Sequence, residues 1–269
     1  MRSPRRSHVA AIPRRNGAGT SAPGDDAADL IAKVQNLCVL HERPVDCAEL
    51  YENTRRQLIA RVRGFTDQEL ATRVPATPLW TVHDVISHLV GITADLNALN
   101  FGTGDADAWT EVQVMNRRGA SIEDLSEEWE RERPRFQEGL SLFGYELGSH
   151  YMGDLLQHVA DINQALGLET LADDETLAVA LDFYLDVCHE ALREAGVGTV
   201  VLSIGSEKWS LGSGPIAVSL RTDRFEAFRC LGGRRSEQQI RGLDWEGDLE
   251  LVLPLLSRYP VPQADIVEG

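Results

Sequence analysis

The sequence predicts an α+β protein in which a helical N-terminal part precedes a smaller part that contains strands. Apolar residues recur at helical spacing in five segments that end before Gly196. In contrast, the segment 197–220 is rich in β-branched residues that alternate with other residues between Gly and Ser turns. The apolar content of 43% lies near the average for globular proteins, so a hydrophobic core is expected.

Helix starts and stops define the expected elements. Thr81 is placed to act as an N-cap, Ser121 opens a segment that resembles a capping box, and Gly167 and Gly196 follow helices as stops. Pro134 is expected to interrupt or kink the third helix. The predicted helices are 47–65, 82–99, 121–141, 149–166 and 173–195, with two more at 223–231 and 247–257; segments 74–80 and 101–107 are predicted as loops.

The change of pattern also predicts domain boundaries. Residues 1–28 are rich in Arg, Ser, Gly and Ala, and this composition predicts a disordered tail. The segment has no apolar h-region, so it is not expected to be a secretory signal. Residues 40–168 should form a helical bundle. Residues 172–262 should form a C-terminal α+β domain that starts with the helix 173–195.

Composition narrows the possible partners. The formal net charge is -16, and an acidic body repels phosphate, which argues against binding to nucleic acid or to anionic lipids. No apolar stretch has the length needed to span a bilayer. The four cysteines form no CxxC pair and predict no disulfide framework, so a reducing cytoplasm is the expected location. A small molecule is therefore the expected partner, and the oligomeric state is left open.

Three residues form a candidate metal site. Asp154 and His158 are four residues apart on a predicted helix, so their side chains share one face. His88 lies near the apolar face of the second helix, and facing helices of a bundle can direct such side chains at one ion. Two imidazoles and a carboxylate suit Zn, Fe, Ni or Mn. Asp161, three residues after His158, could accept the second imidazole N–H.

Other interpretations of these residues are open. A DxxxH pair on a helix occurs by chance, and a single histidine on an apolar face is more often a core residue than a ligand. His150 lies one turn before Asp154 and is an alternative ligand.

A family resemblance adds to this pattern. The run TPLWTVHDVISHLVG at 77–91 is similar to the Trp-to-His signature of the mycothiol-dependent maleylpyruvate isomerase family, which belongs to the DinB-like metal-binding four-helix bundles. Further segments that resemble actinobacterial members are DAWTEVQVMNRRGASIEDLSEEW at 107–129, DLLQHVADINQALG at 154–167 and LGGRRSEQQI at 231–240. The resemblance extends from about residue 45 to the C-terminus.

The resemblance implies an up-down bundle with a metal on His88, Asp154 and His158. The family acid is commonly Glu, and the shorter Asp154 could shift the ion or leave the site empty. The implied chemistry is activation of the thiol mycothiol by a divalent metal, most simply zinc. The thiolate then isomerises maleylpyruvate, or transfers sulfur to another electrophile.

The resemblance also gives a role to an arginine. The family uses an arginine of its C-terminal domain, and its Gly-Arg pair aligns with Gly233 and Arg234. A guanidinium matches the carboxylates of such a substrate. The alternative is that Arg229, Arg234 and Arg235 form a surface cluster paired with Glu226 or Glu237.

Three functions are consistent with the sequence. The first is a metal- and mycothiol-dependent isomerase or S-transferase. The second is a non-catalytic metal-binding or regulatory module on the same bundle. The third is a metal-dependent hydrolase that activates water instead of a thiol. Fold alone does not distinguish them.

Overall fold

The N-terminal part of the chain is helical, as predicted. A computed structural model describes residues 40, 42–102, 105–169 and 172–268, so the predicted tail 1–28 lies outside the described residues. The helices of this part are α1 (Cys47–Val62), α2 (Asp67–Leu70), α3 (Val82–Asn97), α4 (Ala106–Met115) and α5 (Ile122–Ala165). In the part of the chain that the structure describes, no helix is both long and apolar enough to cross a membrane.

Helix α5 is two helices that meet at Gly144. This residue has φ 81° and ψ -167°, a conformation that is almost restricted to glycine. The rings of Phe136 and Tyr151, on opposite sides of it, lie 5.5 Å apart, so the two halves fold back on each other. Together with α1 and α3 they form the predicted up-down four-helix bundle. Pro134 lies within helical backbone, so the prediction that it interrupts the helix was wrong.

We expect Gly144→Ala to lower the free energy of unfolding by about 1–3 kcal/mol, because a side chain strains this backbone conformation. Urea denaturation followed by circular dichroism measures the effect. Gly139→Ala is the matched control, since Gly139 is helical and an added Cβ meets no atom within 4 Å. That variant should gain about 0.5–1 kcal/mol. Equal effects of the two variants would contradict the assignment of the turn to Gly144.

The connections between the bundle helices are more ordered than predicted. Segment 74–80, predicted as a loop, contributes to a hairpin of β1 (Arg73–Val74) and β2 (Thr77–Thr81). Helix α4 begins inside the predicted loop 101–107 and was not predicted. The N-caps Thr81 and Ser121 are confirmed, and each forms a capping box with an aspartate three residues later.

The C-terminal part begins with α6 (Asp174–Ala195), which ends at Gly196 with φ 64°. A four-stranded sheet follows in the order β4-β3-β5-β6, where β3 and β5 are parallel and the other pairs are antiparallel. Its strands are β3 (Thr199–Ile204), β4 (Glu207–Gly212), β5 (Ile216–Arg221) and β6 (Asp244–Gly247). The fold class is therefore α+β, as predicted.

Three short helices complete this part: α7 (Arg224–Leu231), α8 (Glu237–Arg241) and α9 (Leu253–Leu256). The predicted helix 247–257 was largely wrong. A 3₁₀ turn (Leu249–Leu251) and the four-residue α9 occupy that segment, since Gly247 has φ 105° and leaves the helical region.

Bundle and sheet share one hydrophobic core, because α6 packs between them. Gly153 of α5 allows close approach, since a Cβ there would lie 3.2 Å from the carbonyl oxygen of Ala180 in α6. Gln157 of α5 also donates a hydrogen bond to the carbonyl of Phe228 in α7 at 2.8 Å. The predicted domain boundary between residues 168 and 172 thus lies between α5 and α6, two helices that pack against each other.

Candidate metal centre

His88, Asp154 and His158 converge inside the bundle. The Nε2 atom of His88 lies 3.9 Å from Oδ2 of Asp154, and Nε2 of His158 lies 3.7 Å from Oδ1 of Asp154. One ligand atom from each residue lies within 4.8 Å of the other two. In a tetrahedral zinc site with bonds of about 2.0–2.1 Å, ligand atoms are about 3.3 Å apart. The observed spacing is therefore close to that of a metal-binding triad.

Local structure explains this convergence. Asp154 and His158 are one turn apart on α5, and α3 presents His88 across the bundle interior. The hairpin before α3 adds Trp80, whose ring centroid lies 5.1 Å from that of His88 and 6.3 Å from that of His158. Trp80 thus covers one side of both imidazoles, whereas Asp154 keeps a side-chain exposure of 20%.

Gln113 fixes the orientation of the His88 ring. Its Oε1 atom lies 2.8 Å from Nδ1 of His88, and its amide nitrogen donates to Asp95 at 2.8 Å. Because the amide oxygen must then face the imidazole, Nδ1 carries the proton and Nε2 presents its lone pair to the site. Burial lowers the pKa of His88 to about 4, so the ring is neutral at neutral pH. Sequence patterns did not indicate a role for Gln113, which lies on the unpredicted helix α4.

His158 lies beside a buried carboxylate. Its Nδ1 atom is 3.3 Å from Oδ2 of Asp161, which is fully buried. Asp161 also pairs with Arg229 at 2.8 Å and with Arg234 at 3.0 Å. Burial alone would raise the pKa of Asp161, but the charges of the two guanidinium groups hold it well below its usual range. The placement is the one expected from the sequence, and the orienting role of Asp161 stays a prediction.

The arginine cluster is buried and internally paired. Arg234 donates to Asp161 from Nε and Nη2 and to the carbonyl of Gly232 from Nη1. Arg235 pairs with Glu226 at 2.7 Å, as the alternative interpretation expected, although Glu237 instead pairs with Arg241. The predicted contact of Arg234 with a substrate carboxylate stays a prediction, since its guanidinium already has protein acceptors.

The donor set fits a divalent metal. The carboxylate–imidazole distances exceed hydrogen-bond length, so the three groups do not satisfy one another. Asp154 reaches both rings despite its short side chain. His150, the alternative ligand, is not part of this triad and stacks on Phe183 with ring centroids 4.1 Å apart.

A cavity of about 1100 Å³ lies elsewhere, along α1. Leu156, Val159 and Asn163 line it, and they lie on the face of α5 opposite to Asp154 and His158. Volume alone does not identify a reactive site, and we therefore assign function to the triad, where the metal-binding groups converge.

Residues 51–145 match the profile of a family described as the mycothiol maleylpyruvate isomerase N-terminal domain. This segment of the chain is therefore similar to that domain family. The resemblance seen in the sequence is thus confirmed for the isomerase N-terminal domain, whose matched segment includes His88 and Gln113 and ends before Asp154.

Two crystal structures are similar to the chain at low identity. One, described as the mycothiol-dependent maleylpyruvate isomerase, is 14% identical with a TM-score of 0.44, and the match covers 71% of this chain and 89% of that chain. The other, a mutant described in the same words, is 10% identical with a TM-score of 0.43, and the match covers 70% and 88%. A comparison with curated protein sequences gave no match.

We expect Gln113→Ala to weaken zinc binding by about 10- to 100-fold, because the His88 ring loses its orienting acceptor. Competition titration with a chromogenic chelator measures the affinity. Gln57→Ala, at an exposed position of α1, is the control and should bind as the wild type does. Unchanged affinity in Gln113→Ala would show that packing against Trp80 suffices to hold the ring.

Proposed function

We propose that the chain is a metal-dependent enzyme that uses mycothiol to isomerise, or to transfer sulfur to, a small electrophile such as maleylpyruvate. The observation that carries the proposal is the triad of two buried imidazoles and one partly buried carboxylate within 4.8 Å, in a chain whose residues 51–145 match the isomerase N-terminal domain family. Zinc is the metal that this donor set favours.

The protein's own groups prepare the site. Gln113 holds the His88 ring so that its Nε2 atom faces Asp154, and in this proposal Asp161, 3.3 Å from Nδ1 of His158, orients the second ring in the same way. Three protein ligands leave a coordination position for an exogenous group. A divalent ion bound there would lower the pKa of a thiol, so that the thiol ionises near neutral pH.

Turnover with a thiol decides between this proposal and its alternatives. Zinc-loaded protein is mixed with mycothiol and either maleylpyruvate, followed by its ultraviolet absorbance, or monobromobimane, followed by fluorescence. Turnover that needs both zinc and mycothiol supports the proposal. Turnover of ester or amide substrates without thiol would favour a hydrolase. Tight zinc binding with no turnover would favour a binding module.

We expect Arg234→Ala to lower kcat/KM by about 100- to 1000-fold if this residue binds a substrate carboxylate. Arg234→Lys should restore activity only in part, since an ammonium cannot form the bidentate contact. The KM for the carboxylate-free monobromobimane is the control and should stay unchanged. A loss of stability with normal kinetic constants would show that Arg234 serves only to neutralise Asp161.

A cytoplasmic location belongs to the same proposal. Cys47, Cys188 and Cys230 are free, buried thiols, which is typical of proteins in a reducing compartment. Mycothiol itself is a reduced thiol and is expected in the same compartment.

A further inference from the structure

Helix α4 presents an apolar stripe to solvent. Val112 is 54% exposed, Met115 is 59% exposed, and Ala108, one turn before Val112, is exposed as well. Because these positions are four and three residues apart, their side chains lie on one face of the helix. The buried residues of α4, Gln113 and Val114, lie on the other side, which packs on α3. The stripe therefore faces outward, where another molecule can contact it.

The neighbouring hairpin adds to this apolar surface. Leu79 of β2 is 81% exposed. The next residue, Trp80, donates a hydrogen bond from Nε1 to Glu111 of α4 at 3.3 Å, so the hairpin is attached to α4 beside the stripe. Single exposed apolar side chains are common on protein surfaces, whereas several that lie close together are typical of an interface.

Opposite charges lie at the two ends of one side of the stripe. Asp107 is exposed in the first turn of α4. Arg118 follows the helix and reaches back to Glu111, with 3.0 Å between Nη2 and Oε1, yet its side chain stays 52% exposed. Because Glu111 is one turn after Asp107, both charged ends lie along the same side of the helix. This side is therefore acidic where α4 begins and basic where it ends.

These positions are complementary to themselves. A two-fold axis perpendicular to α4 and beside Val112 would bring two stripes together with the helices antiparallel. Ala108 of one chain would then lie opposite Met115 of the partner subunit, so that a small side chain meets a large one. Asp107 would face Arg118 of the partner subunit, and the axis repeats this pair. A parallel arrangement would instead place the two acidic ends together, which is unfavourable.

We propose that α4 is a self-association surface, through which two copies of the chain form an antiparallel dimer with two-fold symmetry. A second copy is the partner because the apolar and the charged positions of this face find their complements in the same face. One helix and one hairpin from each chain provide a small contact compared with the roughly 800 Å² per partner of a standard interface. The dissociation constant is therefore expected in the micromolar range.

Sedimentation equilibrium of the full chain tests this inference. Between about 1 and 200 µM, at an ionic strength of about 0.15 M, the average mass of the wild type should rise from 29.7 kDa toward twice that value. Met115→Glu should raise the dissociation constant by more than about tenfold, because the dimer would bury the new carboxylate against apolar groups. Circular dichroism confirms that the variant is folded.

Ile216→Glu is the matched control for this substitution. Ile216 is 68% exposed at the start of β5, in the C-terminal part of the chain. The variant carries the same change of an exposed apolar residue to Glu, and it should associate as the wild type does.

Reversal of the charges tests the antiparallel arrangement. Asp107→Arg and Arg118→Asp should each weaken the dimer by about 5- to 20-fold, because each change creates two pairs of like charges across the axis. The double variant reverses both charges and should restore association, since opposite charges then meet again. A parallel pair of helices would not be restored in this way.

Three results would overturn the proposal. The first is a wild type that stays monomeric over the whole concentration range. The second is a dimer that Met115→Glu leaves intact, since another face would then associate. The third is a double variant that associates as weakly as the single variants, which would reject the antiparallel pairing. None of these results depends on the metal centre, so the proposed function is tested separately.

Discussion

His158→Ala is expected to abolish stoichiometric binding of a divalent metal and, with it, thiol-dependent turnover. Only two ligands, His88 and Asp154, would remain, whereas a site of this type holds its ion with three protein ligands. The loss of metal affinity should exceed the 10- to 100-fold loss expected when a residue that only orients a ligand, such as Gln113, is removed. Elemental analysis after dialysis against zinc measures the metal content, and circular dichroism confirms that the bundle is folded.

His150→Ala is the matched control for this prediction. His150 lies one turn before Asp154 on the same helix, but its ring stacks on Phe183 and is not part of the triad. The variant should retain about one metal ion per chain, as the triad predicts. Full metal content in His158→Ala, or its loss in His150→Ala, would refute the ligand assignment.

Asp161→Ala is expected to lower the free energy of unfolding by about 3–5 kcal/mol, which is the cost of leaving buried charges without their partner. Arg229 and Arg234 both pair with this carboxylate, and the Arg229 side chain is fully buried. Without Asp161, Arg229 would keep Glu268 at 2.8 Å, but Arg234 would lose the carboxylate with which it pairs. Urea denaturation at pH 7 measures the loss.

Asp174→Ala provides the comparison, because Asp174 also pairs with an arginine, Arg224, at 2.9 Å. Its side chain is 84% exposed, so solvent screens the interaction and the expected change is below about 1 kcal/mol. A loss of similar size in both variants would show that burial does not set the strength of the Asp161 pairs.

The triad could be predicted because its geometry is largely local. Helical spacing places Asp154 and His158 on one face whatever the remaining fold is. His88 was included because it lies near the apolar face of the second predicted helix, and the resemblance to the isomerase family gave the same set. Gln113 could not be found in this way, because its contact with His88 depends on how α4 packs on α3 and no periodic pattern marks it.

The arginine cluster shows a second limit of prediction from sequence patterns. Charged residues are usually exposed, so the alternative interpretation placed Arg229, Arg234 and Arg235 on the surface. Arg229 and Arg234 are buried against Asp161, which precedes Arg234 by 73 residues, whereas Arg235 pairs with Glu226 and Glu268. Similarly, Pro134 was expected to interrupt or kink the third helix, whereas the turn lies at Gly144, whose backbone conformation few other residues adopt.

The carboxylate of Asp161 is shared between the metal centre and the C-terminal part, and this has a thermodynamic consequence. His158 belongs to the bundle, whereas Arg229 and Arg234 belong to the segment that follows β5. In the proposed function, metal affinity and docking of that segment are therefore linked equilibria, and each changes the other by the same factor. In this proposal, removal of the C-terminal part changes the affinity of the bundle for the ion. Replacement of that part by another domain during evolution would do the same.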